Sequence, residues 1–226
     1  MILIAHSDSS SERFWGHLGE VAADVGLLFR NPDEVKLVCF TGGEDVSPEL
    51  YGHQNLGSYN SQARDEKEVL IFEMARKHGI PMTGICRGAQ FLNAMCGGSM
   101  VQDLKASHGG STHQCQTFDG KEFSVVSSHH QMCVPGPECE VLAHARIRVG
   151  RPNCVYDGEL PETMLETDQD GLKVARVTEA IHYPQLRIFA VQFHPEWANI
   201  DDEAAQWTLN LTTKFCLEQE VRVLEV

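Results

Sequence analysis

Residues 80–96 read IPMTGICRGAQFLNAMC. The first six of these residues have the length and apolar character of a buried strand, and residues 88–96 have the composition of a helix that stops at Gly97. A buried strand followed by a tight turn and a helix is the repeating unit of a parallel α/β sheet. This stretch therefore predicts an α/β fold, with Cys86 at the turn between the strand and the helix.

The rest of the chain continues this alternation. Buried strands are predicted over residues 1–5 and 35–40, and helices over residues 11–25 and 64–79. The helix over residues 64–79 has acidic residues in its first turn and basic residues in its last, as the helix dipole favours. Further strands are predicted over residues 123–126, 173–177 and 187–193, and a closing helix over residues 202–218. We find no repeat or linker, so residues 1–226 are expected to form a single domain with some antiparallel strands in its second half.

The composition indicates a folded, acidic protein. The 226 residues are 42% hydrophobic, which is enough for one sizeable core. The 32 acidic and 18 basic residues give a net charge of −14. Because an acidic surface repels phosphate backbones and anionic lipids, we expect neither nucleic acid nor a membrane as a partner.

The eight cysteines allow two interpretations, disulfide bonds or free thiols. Residues 1–15 have neither the basic lead nor the long apolar segment of a secretory signal, so we expect a cytoplasmic protein with reduced thiols. The sequence contains no CxxC pair, which argues against a zinc ribbon or a thioredoxin-like site.

Two histidine-containing segments are candidate metal sites. His108, His113 and Cys115 lie in one of them, and His129 and His130 are adjacent in the other. The first spacing matches no standard structural zinc site, and adjacent residues of a strand point to opposite faces. We therefore expect no metal ion at either segment.

Cys86 is the central residue of a G-x-C-x-G pattern, flanked by Gly84 and Gly88. This is the layout of a nucleophile elbow, in which a reactive side chain stands on a tight turn between small neighbours. The following helix would direct its N-terminus at the sulfur and favour the thiolate, and the amide of Arg87 would donate to a developing oxyanion. The alternative is that Cys86 is a small buried hydrophobe, the usual role of a lone cysteine.

A second motif, QFHPEW at residues 192–197, offers the partners that a nucleophilic thiol needs. His194 can act as the base, and Glu196 can hold its imidazole in one tautomer, with Pro195 fixing the bend between them. On their own, these two residues would more simply be a loop histidine and a surface acid. Together with the glycine-flanked cysteine, they predict a triad of Cys86, His194 and Glu196.

These two motifs resemble the class I glutamine amidotransferase family, and in particular its γ-glutamyl-γ-aminobutyrate hydrolase branch. Four further segments resemble that branch: FTGGEDVSPELYG (40–52), RDEKE (64–68), GGSMVQDL (97–104) and SSHHQ (127–131). The resemblance implies a flavodoxin-like fold, with a mostly parallel central sheet, helices on both of its faces and a Cys-His-Glu triad.

The resemblance also implies roles for residues around the triad. Gly43 would supply a second oxyanion amide beside that of Arg87, because glycine lets the backbone approach closely. The Arg87 side chain itself could pair with a carboxylate near the pocket or point outward. The residues implied to contact the substrate are Gly42, Gln90, His129 and His130.

The implied reaction is hydrolysis of the γ-amide of glutamine or of a γ-glutamyl compound through a γ-glutamyl thioester. It releases glutamate and either ammonia or an amine, and it needs no metal or organic cofactor. Two alternatives stay open: a glutaminase subunit that delivers ammonia to a separate synthase, and a non-catalytic relative that acts as a binding module. The sequence leaves open the amine half of the substrate and the oligomeric state, a homodimer included.

Overall fold

The computed structural model describes residues 1–104, 112–148, 164–167, 169–171 and 173–218. The strands of this part of the chain are β1 (Ile2–Ile4), β2 (Val21–Ala22), β3 (Leu37–Phe40), β4 (Met82–Ile85), β5 (Ser99–Val101), β6 (Thr112–Thr117), β7 (Glu122–Val126), β8 (Met132–Val134), β9 (Glu140–Arg148), β10 (Leu165–Thr167), β11 (Lys173–Tyr183) and β12 (Ile188–Val191). The α-helices are α1 (Ser9–Trp15), α2 (Gly26–Arg30), α3 (Gln62–Lys77), α4 (Arg87–Met95) and α5 (Glu203–Thr212). Within the same residues all strands except β5 and β8 belong to one sheet, and those two pair with each other.

The first half of the sheet is parallel and runs in the order β2-β1-β3-β4-β12. This is the 2-1-3-4-5 order of flavodoxin-like folds, so the predicted fold class is confirmed. In such sheets ligands bind beyond the carboxyl ends of the strands, near the point where the strand order reverses. The loops that follow β1, β3, β4 and β12 therefore meet at the edge of the sheet where a site is expected.

The second half of the sheet is antiparallel, as the sequence predicted, and continues from β12 through β11, β9 and β6 to β7. This half curls back over the parallel half. The amide of His194, just beyond β12, donates to the carbonyl oxygen of Val126 at the end of β7 over 2.8 Å. Strands β11, β9 and β6 separate β12 and β7 in the sheet order, so only a strongly curved sheet can bring their ends together.

The core forms an apolar layer on each face of the parallel strands. Leu3 and Val38 pack in one layer with residues of α3 and α4, and their chain neighbours Ile4 and Cys39 pack in the other with residues of α1 and α5. This alternation follows from the two-residue period of a strand. Because parallel strands are covered on both faces, their sequences are continuous apolar runs, which is the pattern that predicted them.

The structure corrects the prediction of a helix over residues 11–25. Helix α1 begins at Ser9, because the Asp8 side chain accepts hydrogen bonds from the amides of Ser10 and Ser11. A 3₁₀ turn follows, and Gly19 then adopts a φ of 151°, which ends the helical path and leads into β2. The sequence analysis also missed α2, β5, β6, β8, β9 and β10. The assignment of residues 1–226 to one domain stays a prediction.

None of the helices in the described ranges is both long and apolar enough to cross a membrane.

Candidate active site

A cavity of about 460 Å³ lies at the carboxyl ends of the parallel strands. The loops after β1, β3, β4, β7 and β12 line it. Of the site residues that the sequence predicts, all except Arg87 are on the cavity wall: Gly42, Gly43, Cys86, Gln90, His129, His130, His194 and Glu196. A larger cavity of about 760 Å³ lies at the opposite ends of these strands and contains none of them.

Cys86 stands on a strained turn directly between β4 and α4. Its φ of 52° and ψ of −109° lie outside the regions that L-residues ordinarily occupy, at a cost of about 1–3 kcal/mol. A Cβ added at Gly84 would lie 2.6 Å from the carbonyl carbon of Gly88, and one added at Gly88 would lie 2.2 Å from the carbonyl oxygen of Phe40. Both glycines are therefore required for this turn, which has the geometry of the predicted elbow.

His194 and Glu196 form a buried pair beside Cys86. The Nδ1 atom of His194 lies 2.7 Å from a carboxylate oxygen of Glu196, and Nε2 lies 2.9 Å from the hydroxyl oxygen of Ser128. Burial lowers the pKa of His194, but hydrogen bonds with Cys86 and Glu196 outweigh that effect and raise the pKa to about 10. A pKa raised to about 10 favours the positively charged imidazole at neutral pH, beside Cys86.

Trp197 covers the imidazole from the outer side of the cavity. The two rings are parallel within 1°, with 3.6 Å between their centroids, and the indole is 52% exposed. An aromatic face over an imidazolium stabilises its charge. The sequence analysis missed this contact and that of Ser128, although both residues lie within the quoted motifs, because a motif does not show which ring its members touch.

The backbone of the loop after β3 lies against Cys86, the predicted nucleophile, and against His194, the predicted base. A Cβ added at Gly42 would lie 3.2 Å from the imidazole of His194 and 3.8 Å from Cβ of Cys86. Gly43 has a φ of 142°, which is accessible to glycine and rarely adopted by other residues. Glycine at position 42 therefore keeps the space beside Cys86 and His194 open.

The side chain of Arg87 points away from the cavity. It is 1% exposed and forms ion pairs with Asp65 and Glu68 of helix α3. Of the two placements that the sequence left open, pairing with carboxylates is the one observed. The amide of Arg87 remains the first backbone N–H of α4, next to Cys86.

The remaining predicted residues form the cavity wall beyond the triad. The side-chain nitrogen of Gln90 donates to Gln192 over 3.3 Å, and the Nδ1 atom of His129 donates to the carbonyl oxygen of Gln131 over 2.7 Å. The Nε2 atom of His130 lies 3.0 Å from a carboxylate oxygen of Asp45. Residues 127–129 form no regular strand, so His129 and His130 both reach the cavity.

The first of the two histidine-containing segments weighed as metal sites is only partly within the described residues. His108 lies outside the described residues, and His113 lies 3.1 Å from the carboxylate of Glu179. In the part of the chain that the structure describes, no group of three or more histidine, cysteine or acidic side chains is arranged to hold a metal ion.

Comparison with known proteins identifies the family. The family model described as Peptidase C26 matches residues 30–196, which is most of the chain. The chain belongs to the Peptidase C26 family. The part of this Peptidase C26 chain that matches contains every predicted site residue, whereas α1 and α5 lie outside it.

Individual relatives of this Peptidase C26 chain are glutamine amidotransferase-like. Protein YvdE of Lactococcus lactis is named as a glutamine amidotransferase-like protein. It is 30% identical over 166 residues, which cover 72% of this chain and 66% of YvdE. A glutamine-hydrolysing GMP synthase of Macrococcus caseolyticus is 28% identical over 124 residues, or 52% of this chain and 19% of that protein. The chain thus spans just under two thirds of YvdE and a minor part of the synthase.

A solved structure shares the fold of this Peptidase C26 chain. A glutamine amidotransferase from Thermotoga maritima superimposes with a TM-score of 0.53 at 15% identity, covering 86% of this chain and 75% of that one. Together with the family match, this confirms the predicted resemblance to class I glutamine amidotransferases. The narrower resemblance to the γ-glutamyl-γ-aminobutyrate hydrolase branch stays a prediction.

Proposed function

We propose that this protein is a cysteine-nucleophile amidase that hydrolyses the γ-amide of glutamine or of a γ-glutamyl compound. The observation that carries the proposal is the meeting of Cys86, on its positive-φ turn, with the imidazole of His194 in one cavity. Glu196 holds that imidazole through Nδ1, so Nε2, which also lies 2.9 Å from the Ser128 hydroxyl oxygen, is the nitrogen that would exchange a proton with the substrate. Membership of the Peptidase C26 family supports the same class of chemistry.

In the proposed reaction, the Cys86 thiolate attacks the γ-carbonyl carbon of the substrate. The oxyanion that forms is held by the amides of Gly43 and Arg87, each of which contributes about 3 kcal/mol. Collapse of this intermediate breaks the C–N bond, and the imidazolium of His194 gives its proton to the departing ammonia or amine. A γ-glutamyl thioester remains on Cys86.

Water completes the turnover. The neutral imidazole of His194 now takes a proton from the attacking water, and the thioester C–S bond breaks to release glutamate. The cysteine leaves as a thiolate opposite an imidazolium, which is the starting state of the site. Glu196 keeps its hydrogen bond to Nδ1 through both steps and offsets the charge on the ring.

Residues beyond the triad would hold the glutamyl part of the substrate. Gln90 lies on the second turn of α4, facing the cavity, and His130 presents a half-exposed ring held by Asp45. His129 is buried and fixed through its Nδ1 bond to Gln131. This wall offers hydrogen-bond donors and acceptors suited to the amino and carboxylate groups of a glutamyl moiety.

The decisive experiment is a panel of γ-glutamyl compounds, glutamine included, assayed for free glutamate with the purified protein. Replacing Cys86 by alanine should abolish release while the circular dichroism spectrum is retained. Cys96→Ala is a matched control, because Cys96 lies outside the cavity wall and is partly buried. Full activity in the Cys86→Ala protein would disprove the proposal.

A glutaminase subunit that works with a separate synthase is the second candidate. It is favoured by the similarity to a glutamine-hydrolysing GMP synthase. Slow hydrolysis of glutamine that rises when a synthase partner is added would support it, and rapid hydrolysis of γ-glutamyl amines by the isolated chain would favour a free-standing hydrolase. A non-catalytic binding module would instead leave Cys86 unmodified by glutamine-like electrophiles in an intact mass measurement.

A further inference from the structure

Helix α3 carries a buried ion cluster beneath the cavity. We call Arg64, Asp65 and Glu68 of α3, together with Arg87 of α4, the α3 cluster. The four residues are 1–7% exposed. The Nε atom of Arg64 lies 2.9 Å from Glu68, and Arg87 pairs with both Glu68 and Asp65. Two cations and two anions thus balance each other inside the protein.

The α3 cluster also binds the backbone of the loop after β3. The Nη2 atom of Arg64 donates to the carbonyl oxygens of Thr41, over 3.1 Å, and Gly42, over 3.0 Å. At the far end of the same loop, Asp65 accepts a hydrogen bond from the amide of Ser47 over 3.0 Å. The loop is therefore held at both ends by adjacent residues of one helix.

The bond from Arg64 to the carbonyl of Gly42 sets the direction of the next amide. The C=O of Gly42 and the N–H of Gly43 belong to one planar trans peptide and point in opposite directions. Drawing the carbonyl toward Arg64 therefore turns the N–H of Gly43 to the other side. Gly43 itself leaves no room for a side chain, because an added Cβ would lie 2.1 Å from Nη1 of Arg64.

The second proposed oxyanion donor is tied to the same cluster. Arg87 directly follows Cys86, and its side chain ends between Asp65 and Glu68. One set of salt bridges thus connects the backbone segments that carry both amides. A buried ion cluster contributes little net stability compared with apolar packing, so its effect on geometry is the more informative property.

We propose that Arg64 is a positioning residue, which orients the N–H of Gly43 toward the developing oxyanion and couples that amide, through Glu68, to the turn at Arg87. The inference rests on the proposed amidase function. It predicts that Arg64 affects the formation of a tetrahedral intermediate and does not affect the reactivity of the thiol. Those two properties can be measured separately on the same sulfur.

The test compares two reactions of Cys86 in the whole protein. p-Nitrophenyl acetate acylates the thiolate: the sulfur attacks the acetyl carbon, an oxyanion forms, and p-nitrophenolate leaves. Iodoacetamide alkylates the same thiolate by displacing iodide, without any oxyanion. In Arg64→Gln and Arg64→Lys we expect acylation to fall about 100-fold or more, the effect of losing one oxyanion donor, and alkylation to stay within about threefold of wild type.

Lysine is informative because its ammonium group cannot reproduce the forked contacts of the guanidinium to two carbonyls and a carboxylate. Arg76→Lys is the matched control, because Arg76 lies on the same helix in an exposed pair with Glu73. If Arg64→Gln fails to fold, the same two rates are measured in Arg64→Lys and Glu44→Gln. Glu44 is chosen because it pairs with Arg64 and is partly exposed.

Two results would overturn the inference. Acylation and alkylation falling in parallel would mean that Arg64 supports only the fold of the turn, and wild-type rates of both reactions in the folded variants would mean that it has no role at the oxyanion. Failure of the wild-type protein to hydrolyse any γ-glutamyl compound would count against the proposed function alone, because the acylation ratio does not depend on the natural substrate.

Discussion

At the scale of single residues, the charge on His194 is the property on which the proposed chemistry depends. Burial alone would lower the pKa of this imidazole, and its bonds to Cys86 and Glu196 raise it to about 10. A raised histidine pKa means that the charged form is present below that value and is lost as the pH rises through it. The site should therefore keep its imidazolium throughout the neutral range.

Replacing Glu196 by glutamine should remove this property. Without the carboxylate, burial is opposed by fewer interactions and the pKa of His194 should fall well below 10, so the imidazolium is lost at lower pH. We expect glutamate release to drop by about 100-fold or more and the high-pH limb of the activity profile to move downward. Measurements from pH 5 to 10 would show both effects. Glu203→Gln, on the exposed first turn of α5, is the control, and an unshifted profile in Glu196→Gln would contradict the prediction.

At the scale of elements, the close packing of α4 on β3 and β4 fixes the direction of the nucleophile. Gly84 and Gly88 allow this approach, because a Cβ at either position would meet backbone atoms. Backbone cannot rotate away as a flexible side chain can, so any added volume must move the helix. Movement of α4 would displace both Cys86 and the amide of Arg87.

Gly88→Ala should therefore destabilise the fold by about 2–3 kcal/mol, since its Cβ would lie 2.2 Å from the carbonyl oxygen of Phe40. Urea unfolding monitored by circular dichroism would measure the change in the free energy of unfolding. Gly16→Ala is the control, because no atom lies within 4 Å of its added Cβ and its φ of −57° suits alanine. Equal midpoints for the two variants would show that α4 can shift without cost.

At the scale of the whole molecule, Cys86 differs from the other described cysteines in its position on the cavity wall. The seven described cysteines are free, and Cys154 lies outside the described residues. Burial raises the pKa of the thiols of Cys39, Cys96, Cys115, Cys133, Cys139 and Cys216. Only Cys86 among the seven lies on the wall of the proposed active-site cavity.

Brief treatment of the native protein with iodoacetamide at pH 7.5 should therefore modify Cys86 first among these seven. Cys86 lies on the cavity wall beside the imidazole of His194, whereas the other six described thiols have pKa values raised by burial and are poor nucleophiles. Peptide mapping by mass spectrometry would locate the label, and denatured protein should label all eight cysteines of the sequence. Equally fast labelling of Cys96 or Cys139, which are partly exposed, would contradict the assignment.

The sequence predicted the parts of this molecule whose signals are local. Buried parallel strands are apolar runs, and the triad residues occur in two short motifs. Strands β6 and β9 were missed because they are partly polar and take their hydrogen bonds from distant segments. Asp65 and Glu68 resembled the solvated acidic residues of a first helical turn, and only the tertiary structure shows that they face Arg87. A helix propensity cannot distinguish these two environments.

The hydrogen bond between His194 and Val126 joins two walls of the pocket that come from different halves of the sheet. Cys86 and its supporting glycines belong to the parallel strands, whereas Ser128, His129 and His130 extend from β7, at the far edge of the curled half. Fraying of that edge would widen the entrance and would also release two contacts of His194, those with Val126 and Ser128. The width of the entrance and the position of the base therefore depend on the same edge strand in this architecture.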